Sequence, residues 1–386
     1  MKIGLIGAGR LGICLALLIE RAGYDVLVSD IREDYVSNLN KKRINTNEPG
    51  VGWYLKQTER FEATTDNQRV INECDIVICL VATPSLDDGS YDVSSVWKVV
   101  EDFKSSSAKL SGKTFIVGCT TNPGDCEQFA EQLDSFGIDV FYNPEFIAQG
   151  SVIKDLQNAD MVLIGGEGKY LEEIKQIYFK IQVNTPKIYT MSTTAAELVK
   201  LAVNCYLTTK ISYANMVGEV MSLSGMGDEI EDVLSAIGAD SRVGSKYLKF
   251  GYGYGGPCLP RDNRAFGSFL EKLGGFHPRH NLGYVTDGIN GDHGRFLVEY
   301  WEEMNTSNTP FYFDYISYKK GTDILTESQQ FRLCTDLLEK GHRVYIHDDK
   351  QVTNQVYDQM VYQYGDRVRF VDNKDNITEP IFVVNL

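Results

Sequence analysis

Near the start of the chain, Lys2–Ile6 is an almost unbroken apolar run, and Asp25–Ser29 ends a second one. Short apolar runs bounded by turn residues predict buried strands. Between them residues 11–19 are apolar on most faces and predict a helix. Further apolar runs at residues 76–81, 114–118, 138–142 and 161–165 predict strands, with helical segments between most of them. That alternation predicts a parallel, doubly wound sheet whose ligands lie at the carboxyl ends of its strands. From about Thr193 the pattern turns helical for a long way, with Leu201, Ala202, Val203, Leu207 and Ile211 covering most of the helix surface. A second helix is predicted near 229–238, and Pro278 and Gly291 should punctuate later helical segments. Strand signals return at 311–316, 344–347, 368–371 and 381–384, with a helix at about 327–340, which predicts a second, smaller α/β unit.

The loop after the first strand sharpens this picture. Gly7-Ala8-Gly9-Arg10-Leu11-Gly12 follows the strand and opens the helix, and the second strand ends at Asp30. Strand, GxGxxG, helix, strand and acidic residue together predict a dinucleotide site. Gly7 makes the turn, Gly9 admits the pyrophosphate, Gly12 lets the helix pack, and Asp30 accepts from the adenosine ribose. A carboxylate there favours NAD, although Arg32 nearby keeps NADP open. The second α/β unit lacks the fingerprint, with Asp314 and Ser317 where glycines would stand. It is a poor dinucleotide site and a better one for another ligand or for packing.

A second stretch asks for chemistry. Gly251-Tyr252-Gly253-Tyr254-Gly255-Gly256-Pro257-Cys258-Leu259-Pro260-Arg261-Asp262 puts four glycines within six residues. Glycine has little packing value and a large entropy cost, so either main-chain N–H groups approach a ligand there or the loop is merely flexible. Cys258 beside Arg261 and exposed N–H dipoles should have a lowered pKa and act as a nucleophile. The bland alternative is an incidental buried thiol. Lys200 and Asn204 lie four apart on one helix face. A lysine on such a helix is ordinarily solvated. At the predicted strand ends stand Ala82-Thr83-Pro84, Cys119-Thr120-Thr121-Asn122-Pro123-Gly124 and Asn143-Pro144-Glu145-Phe146. Singly each reads as a turn; together they would place Thr120 and Glu145 beside a nicotinamide.

Composition narrows the partners. At 386 residues, with 43% hydrophobic and 24% charged residues, the chain can form two or three domains with full cores. A net charge of −15 argues against nucleic acid or an anionic membrane as partner. The eight cysteines and five histidines show neither CxxC pairing nor metal-like spacing, so reduced thiols and no metal are expected. No run approaches the roughly 18 apolar residues of a membrane span. Met1-Lys2 leads straight into a strand without a signal peptide. A cytoplasmic location follows as the expectation.

Taken together, the GxGxxG fingerprint, Asn143-Pro144-Glu145-Phe146, Lys200 with Asn204, the glycine–cysteine loop and Ser317-Tyr318-Lys319 resemble the nucleotide-sugar dehydrogenase family. The resemblance runs almost end to end and is strongest to its UDP-glucose branch. It implies two Rossmann-like doubly wound domains joined by a central helical domain with a long helix. Residues 1–192 would bind NAD, 193–300 would form the homodimer and carry the catalytic loop, and 301–386 would hold the UDP-sugar. The implied reaction is NAD-dependent four-electron oxidation of UDP-glucose to UDP-glucuronate. Cys258 would form a thiohemiacetal and then a thioester, tethering an aldehyde that must not escape. Lys200 and Asn204 would stabilise the oxyanion. Thr120, Asp262 and Glu145 would position water and exchange protons. Gly7, Gly9, Gly12, Asp30, Thr83, Thr120 and Arg261 would bind the cofactor. Glu145, Phe146, Lys200, Asn204, Arg242, Tyr247, Gly251, Gly255 and Lys319 would bind the sugar nucleotide, Arg242 from across the dimer.

The chain also departs from the family pattern. Gln149 replaces a common glutamate, Pro257 a serine, Arg261 a lysine, Met161 an arginine, and Thr326 an arginine that helps hold NAD. Three alternatives therefore stand beside the leading one. These are a GDP-mannose or other UDP-hexose dehydrogenase, a one-step hydroxyacid dehydrogenase that needs no Cys258, and a nucleotide-sugar-binding pseudoenzyme.

Overall fold

The computed structural model describes residues 1–147, 150–274 and 280–384. The chain separates into two compact units, Met1–Leu201 and Ala202–Leu386. The first runs β1 (Lys2–Ile6), α1 (Arg10–Arg21), β2 (Asp25–Ser29), α2 (Glu33–Asn40), α3 (Val51–Gln57), β3 (Phe61–Thr64), α4 (Asn67–Glu73) and β4 (Ile76–Cys79). It continues through α5 (Ser94–Lys104), β5 (Thr114–Val117), α6 (Asp125–Leu133), β6 (Asp139–Tyr142), α7 (Val152–Gln157), β7 (Met161–Gly165), α8 (Leu171–Ile181) and β8 (Lys187–Met191).

These strands form one sheet in the order β3-β2-β1-β4-β5-β6-β7-β8. Neighbours are parallel except at β6 and β7, where Tyr142 faces Gly165 antiparallel. Successive side chains of a strand point to opposite faces. Ile3, Leu5, Val26, Val28, Ile76 and Ile78 therefore join one core with α1, α3, α7 and α8. Ile6, Leu27, Val77 and Cys79 join another with α4, α5 and α6. A sheet covered on both faces needs apolar residues at every position, which is why its strands read as continuous runs. The strand order reverses between β1 and β4, which leaves a crevice at their carboxyl ends.

Helix α9 (Thr193–Leu223) crosses the boundary between the units, and α10 (Ile230–Ala239), α11 (Leu259–Leu273) and α12 (Leu282–Met304) follow. The second unit then runs β9 (Phe311–Phe313), α13 (Gln329–Glu339), β10 (Val344–Ile346), α14 (Lys350–Tyr364), β11 (Val368–Phe370) and β12 (Phe382–Val383). Its four strands are parallel in the order β11-β10-β9-β12. Phe311, Phe313, Val344 and Ile346 bury against Leu333 and Leu337 of α13 and Leu297 and Trp301 of α12. The Rossmann-like α/β architecture with a long central helix is thus as the sequence predicts.

The structure corrects some details. β3 and β8 escape the apolar-run reading. Gly291 lies inside α12 without interrupting it, because the helix ladder around one glycine tolerates a cost of about 1 kcal/mol. Pro278 lies outside the described residues, as does Gln149.

Candidate active site

The first loop is built as its glycines require. Gly7 sits at φ +99°, and a Cβ there would stand 2.5 Å from the Leu80 carbonyl oxygen. At Gly12 a Cβ would lie 2.1 Å from the Gly7 carbonyl oxygen, so any side chain would push α1 off β1. Gly9 is different, because nothing lies within 4 Å of where its Cβ would be. That open face stands at the N-cap of α1, where free N–H groups and the helix dipole favour an anion. At the end of β2, Asp30 accepts from the Ala8 N–H at 3.2 Å and from Arg32 Nε and NH2, both at 2.8 Å. Burial alone would raise its carboxyl, but the side-chain and backbone hydrogen bonds from Arg32 hold it below the ordinary aspartate value. Arg32 also lies over the Tyr35 ring at 4.0 Å. The open glycine, the helix N-terminus and the strand-end carboxylate together fit a dinucleotide such as NAD. Arg32 is committed to Asp30 rather than held ready for a 2′-phosphate.

Three strand ends carry the remaining side chains of the first unit. Thr83 follows β4 and is buried. After β5, Thr120 is half-buried, whereas its neighbour Thr121 turns inward and donates to Glu197 Oε1 at 2.7 Å. Glu197 of α9 is fully buried and also accepts from the N–H groups of Gly124 at 2.7 Å and Cys126 at 3.0 Å. Burial raises its carboxyl above the ordinary glutamate value, although these donors oppose the rise. After β6, Asn143 donates through Nδ2 to the Leu163 carbonyl at 2.8 Å. Tyr178 of α8 places its hydroxyl 2.6 Å from Asn143 Oδ1 and 2.5 Å from Glu145 Oε1. Glu145 is partly open by surface area, yet its carboxyl sits among protein atoms, and burial pushes it up to about 7, against the pull of Tyr178 and Lys200.

Lys200 is not the solvated residue its helical position suggests. It is only 9% exposed, donates to the Glu145 carbonyl oxygen at 2.8 Å and lies over the Phe146 ring at 4.8 Å. The carbonyl and the aromatic face hold the Lys200 side chain in place rather than leaving it to solvent. Glu48 steadies the same loop from outside, accepting from Gly150 N at 2.8 Å and Val152 N at 3.2 Å.

In the second unit, Cys258 is the N-cap of α11 and is exposed, whereas the other seven cysteines are buried. The incidental buried thiol is thereby excluded. A thiol at a helix N-terminus faces the positive end of the dipole, which favours the anionic nucleophile. Arg261 and Asp262 lie in the first turn of that helix; Asp262 is buried and accepts a hydrogen bond from Asn204 Nδ2. Asn204 is one turn along α9 from Lys200.

The glycine loop is needed mainly for packing. A Cβ on Gly255 would lie 2.3 Å from the Glu327 carbonyl oxygen, and one on Gly253 2.4 Å from Asn290 Oδ1. Gly251 alone among the four has open space on its Cβ side, with no atom within 4 Å. Its N–H donates to Asn215 Oδ1 at 3.0 Å and its carbonyl meets His293 Nε2 at 2.6 Å. Tyr247 is half exposed at φ +62°, an uncommon backbone state for a bulky residue and a mark of local constraint. Arg242 is exposed and forked onto Asp240, and Lys319 is exposed in the loop after β9. That loop differs from the first, because the Ile316 and Ser317 N–H groups both donate to Asp348 Oδ2 at 2.9 Å and are not open to a phosphate.

The sequence reading missed Tyr178, Glu197, Glu48 and Asp348. Only Asp348 carried a readable signal, since it ends the second strand of its unit as Asp30 does. Among the described residues no cluster of His, Cys, Asp or Glu could hold a metal ion, and no helix is long and apolar enough to cross a membrane.

Comparison with known proteins bears on the same residues. The family model described as the NAD binding domain of the UDP-glucose/GDP-mannose dehydrogenase family matches residues 1–182, and that of its central domain matches residues 194–280. A UDP-glucose 6-dehydrogenase of Pseudomonas aeruginosa is 30% identical over 90% of this chain and 79% of its own. The structure of a UDP-glucose dehydrogenase from Pyrobaculum islandicum superposes with a TM-score of 0.85 at 26% identity, over 99% of this chain and 89% of that one. A UDP-D-ManNAc dehydrogenase from Pyrococcus horikoshii superposes at 0.81 with 22% identity, over 99% and 88%, a likeness of fold alone.

Proposed function

The chain belongs to the UDP-glucose/GDP-mannose dehydrogenase family and uses NAD, and on that premise we propose that it oxidises UDP-glucose to UDP-glucuronate through a thioester on Cys258. The observation that carries this reading is the exposed thiol at the N-cap of α11, with a buried carboxylate one turn on and an asparagine bonded to it. NAD, when bound, supplies the oxidising power for each of the two stages. The chain supplies the rest. Cys258 adds as thiolate to the C6 aldehyde, forming the C–S bond and leaving an oxyanion that Lys200 and Asn204 stabilise by charge and hydrogen bond. The second oxidation converts that thiohemiacetal to a thioester. Water attacks the acyl carbon, the C–S bond breaks, and the thiolate leaves as the acid forms. Thr120, Asp262 and Glu145 position the water and exchange protons with it.

In the same reading residues 1–192 bind NAD through Gly7, Gly9, Gly12, Asp30 and Thr83, with Arg261 contributing from 193–300. Phe146, Tyr247, Gly251, Gly255 and Lys319 bind the sugar nucleotide, with 301–386 as the UDP-holding domain. A second copy covers the exposed Tyr206, Tyr213, Met216 and Val220 of α9 and brings its Arg242 to the substrate. Free thiols throughout suit a reducing, cytoplasmic setting.

Initial rates of NADH formation across UDP-glucose, GDP-mannose and UDP-N-acetylmannosamine test the substrate. The expected outcome is a kcat/KM for UDP-glucose at least about tenfold above the others, a difference of about 1.4 kcal/mol. A higher kcat/KM for another sugar nucleotide would reassign the substrate.

A further inference from the structure

Glu145 enters the proposed reaction as a proton-exchanging group, and its surroundings determine in which form it does so. The determining contacts are the chain of polar atoms running from Leu163 through Asn143 and Tyr178 to Glu145.

A carbonyl oxygen only accepts, so the 2.8 Å contact to Leu163 O fixes the Asn143 side chain with its Nδ2 toward Leu163. Asn143 Oδ1 is then the atom 2.6 Å from the Tyr178 hydroxyl. Glu145 Oε1 lies 2.5 Å from that hydroxyl on another side. Tyr178 has one proton for two oxygens. Were Glu145 ionised, both oxygens would be bare acceptors, and one of these short oxygen–oxygen contacts would hold no hydrogen. Asn143 and Tyr178 are both buried, so water cannot relieve the conflict cheaply. With a proton on Glu145 every contact is satisfied. Glu145 donates to Tyr178, Tyr178 donates to Asn143, and Asn143 donates to Leu163.

We propose that Asn143 and Tyr178 act as a proton lock, claiming the tyrosine proton for the amide so that Glu145 is held as a neutral carboxylic acid in the free enzyme up to about neutral pH. This rests on the reading above only for what Glu145 then does. A neutral acid, its proton engaged by Tyr178, sets no second negative charge beside a developing oxyanion. Tyr178 on α8 reaches this carboxyl by hydrogen bond and Lys200 on α9 by charge. Lys200 favours the ionised form, so the lock and burial act against it. Burial raises the Glu145 carboxyl to about 7 even against a hydrogen bond from Tyr178 and the charge of Lys200, and a lock that gives the tyrosine proton to Asn143 removes the first of these opposing pulls. Tyr178 is accordingly a positioning residue. It needs no contact with the substrate to act.

The test is a 13C NMR pH titration of the glutamate carboxyl carbons in the full chain, with no sugar or NAD added. Loss of one resonance in Glu145→Gln assigns the signal. The wild type should titrate at about 7. Asn143→Ala frees the tyrosine proton to serve the carboxylate, so the midpoint should fall by about one pH unit or more. In a Tyr178→Phe background the same Asn143→Ala change should move the midpoint little, because the coupling runs through the hydroxyl. A wild-type midpoint below about 5 would overturn the lock without any variant having to fold. So would an Asn143→Ala effect that is absent, or one that persists undiminished without the tyrosine. Because no substrate is present, these outcomes are independent of which sugar the enzyme oxidises.

Discussion

The raised carboxyl of Glu145 makes stability depend on pH in a direction opposite to that of an ordinary salt-bridged acid. In the folded chain it titrates at about 7, against 4.5 for an ordinary glutamate, a difference of about 2.5 pH units. At 1.36 kcal/mol per unit this corresponds to about 3 kcal/mol. Between the two values the folded state holds a proton that the unfolded state has lost, so stability must fall as pH rises through that window. The contribution is complete below about 4.5 and gone above about 7. Glu197, also raised by burial, acts with the same sign. Asp30, with its carboxyl lowered, acts oppositely, and its contribution is lost only as pH falls through its depressed value. Urea denaturation of wild type and Glu145→Gln, followed by tyrosine fluorescence and circular dichroism at pH 5, 6, 7 and 8, isolates the glutamate. Glutamine keeps a donor toward Tyr178 but cannot ionise. The wild type should lose about 2–3 kcal/mol relative to the variant from pH 5 to 8, most of it between pH 5 and 7. Parallel curves for the two proteins would refute the assignment of a buried, raised carboxyl at this position.

Two further outcomes follow from single contacts. Glu197→Leu strands the Thr121 hydroxyl and the N–H groups of Gly124 and Cys126 in the core, so unfolding free energy should fall by about 3–5 kcal/mol, while Glu197→Gln should cost less; a loss under about 1 kcal/mol for the leucine would show that the carboxylate is not what holds the loop. Asp30→Ala removes the strand-end acceptor and releases Arg32, so calorimetry should show NAD affinity falling about tenfold and discrimination against NADP shrinking. Unchanged preference for NAD would mean that the carboxylate does not read the ribose.

How much of this was readable in the sequence depended on what each residue buries against. β1 and β2 stood out because both faces of their sheet are covered, so their inner positions are apolar on both sides. β8 is exposed along much of its length and carries Lys187 and Thr190 among its five residues, which hides it from any search for apolar runs. β3 is four residues long and pairs with β2 alone. The glycine fingerprint, Cys258 and Lys200 were legible as residue types in a pattern. Their companions were not. Glu197 reads as an ordinary helix glutamate, since nothing in Ala195-Ala196-Glu197-Leu198 shows that the third residue faces the Cys126 N–H at a helix N-terminus 71 residues earlier. Tyr178 sits at a core-facing position of an amphipathic helix, where tyrosine is normally read as packing. Its hydroxyl acquires meaning only when β6 places Asn143 and Glu145 beside it. The glycine loop taught the converse lesson. Its glycines looked like an invitation to a ligand, but Gly253 and Gly255 make room for Asn290 and Glu327 of the protein itself.

The central claim is that one sugar is oxidised twice while tethered to Cys258, and it is tested most directly by NADH formed per UDP-glucose at completion, with wild type and Cys258→Ser measured side by side. The account predicts about two NADH per sugar in the wild type and a serine variant that stalls before the acid is released. One NADH per sugar, unchanged by the substitution, would contradict it.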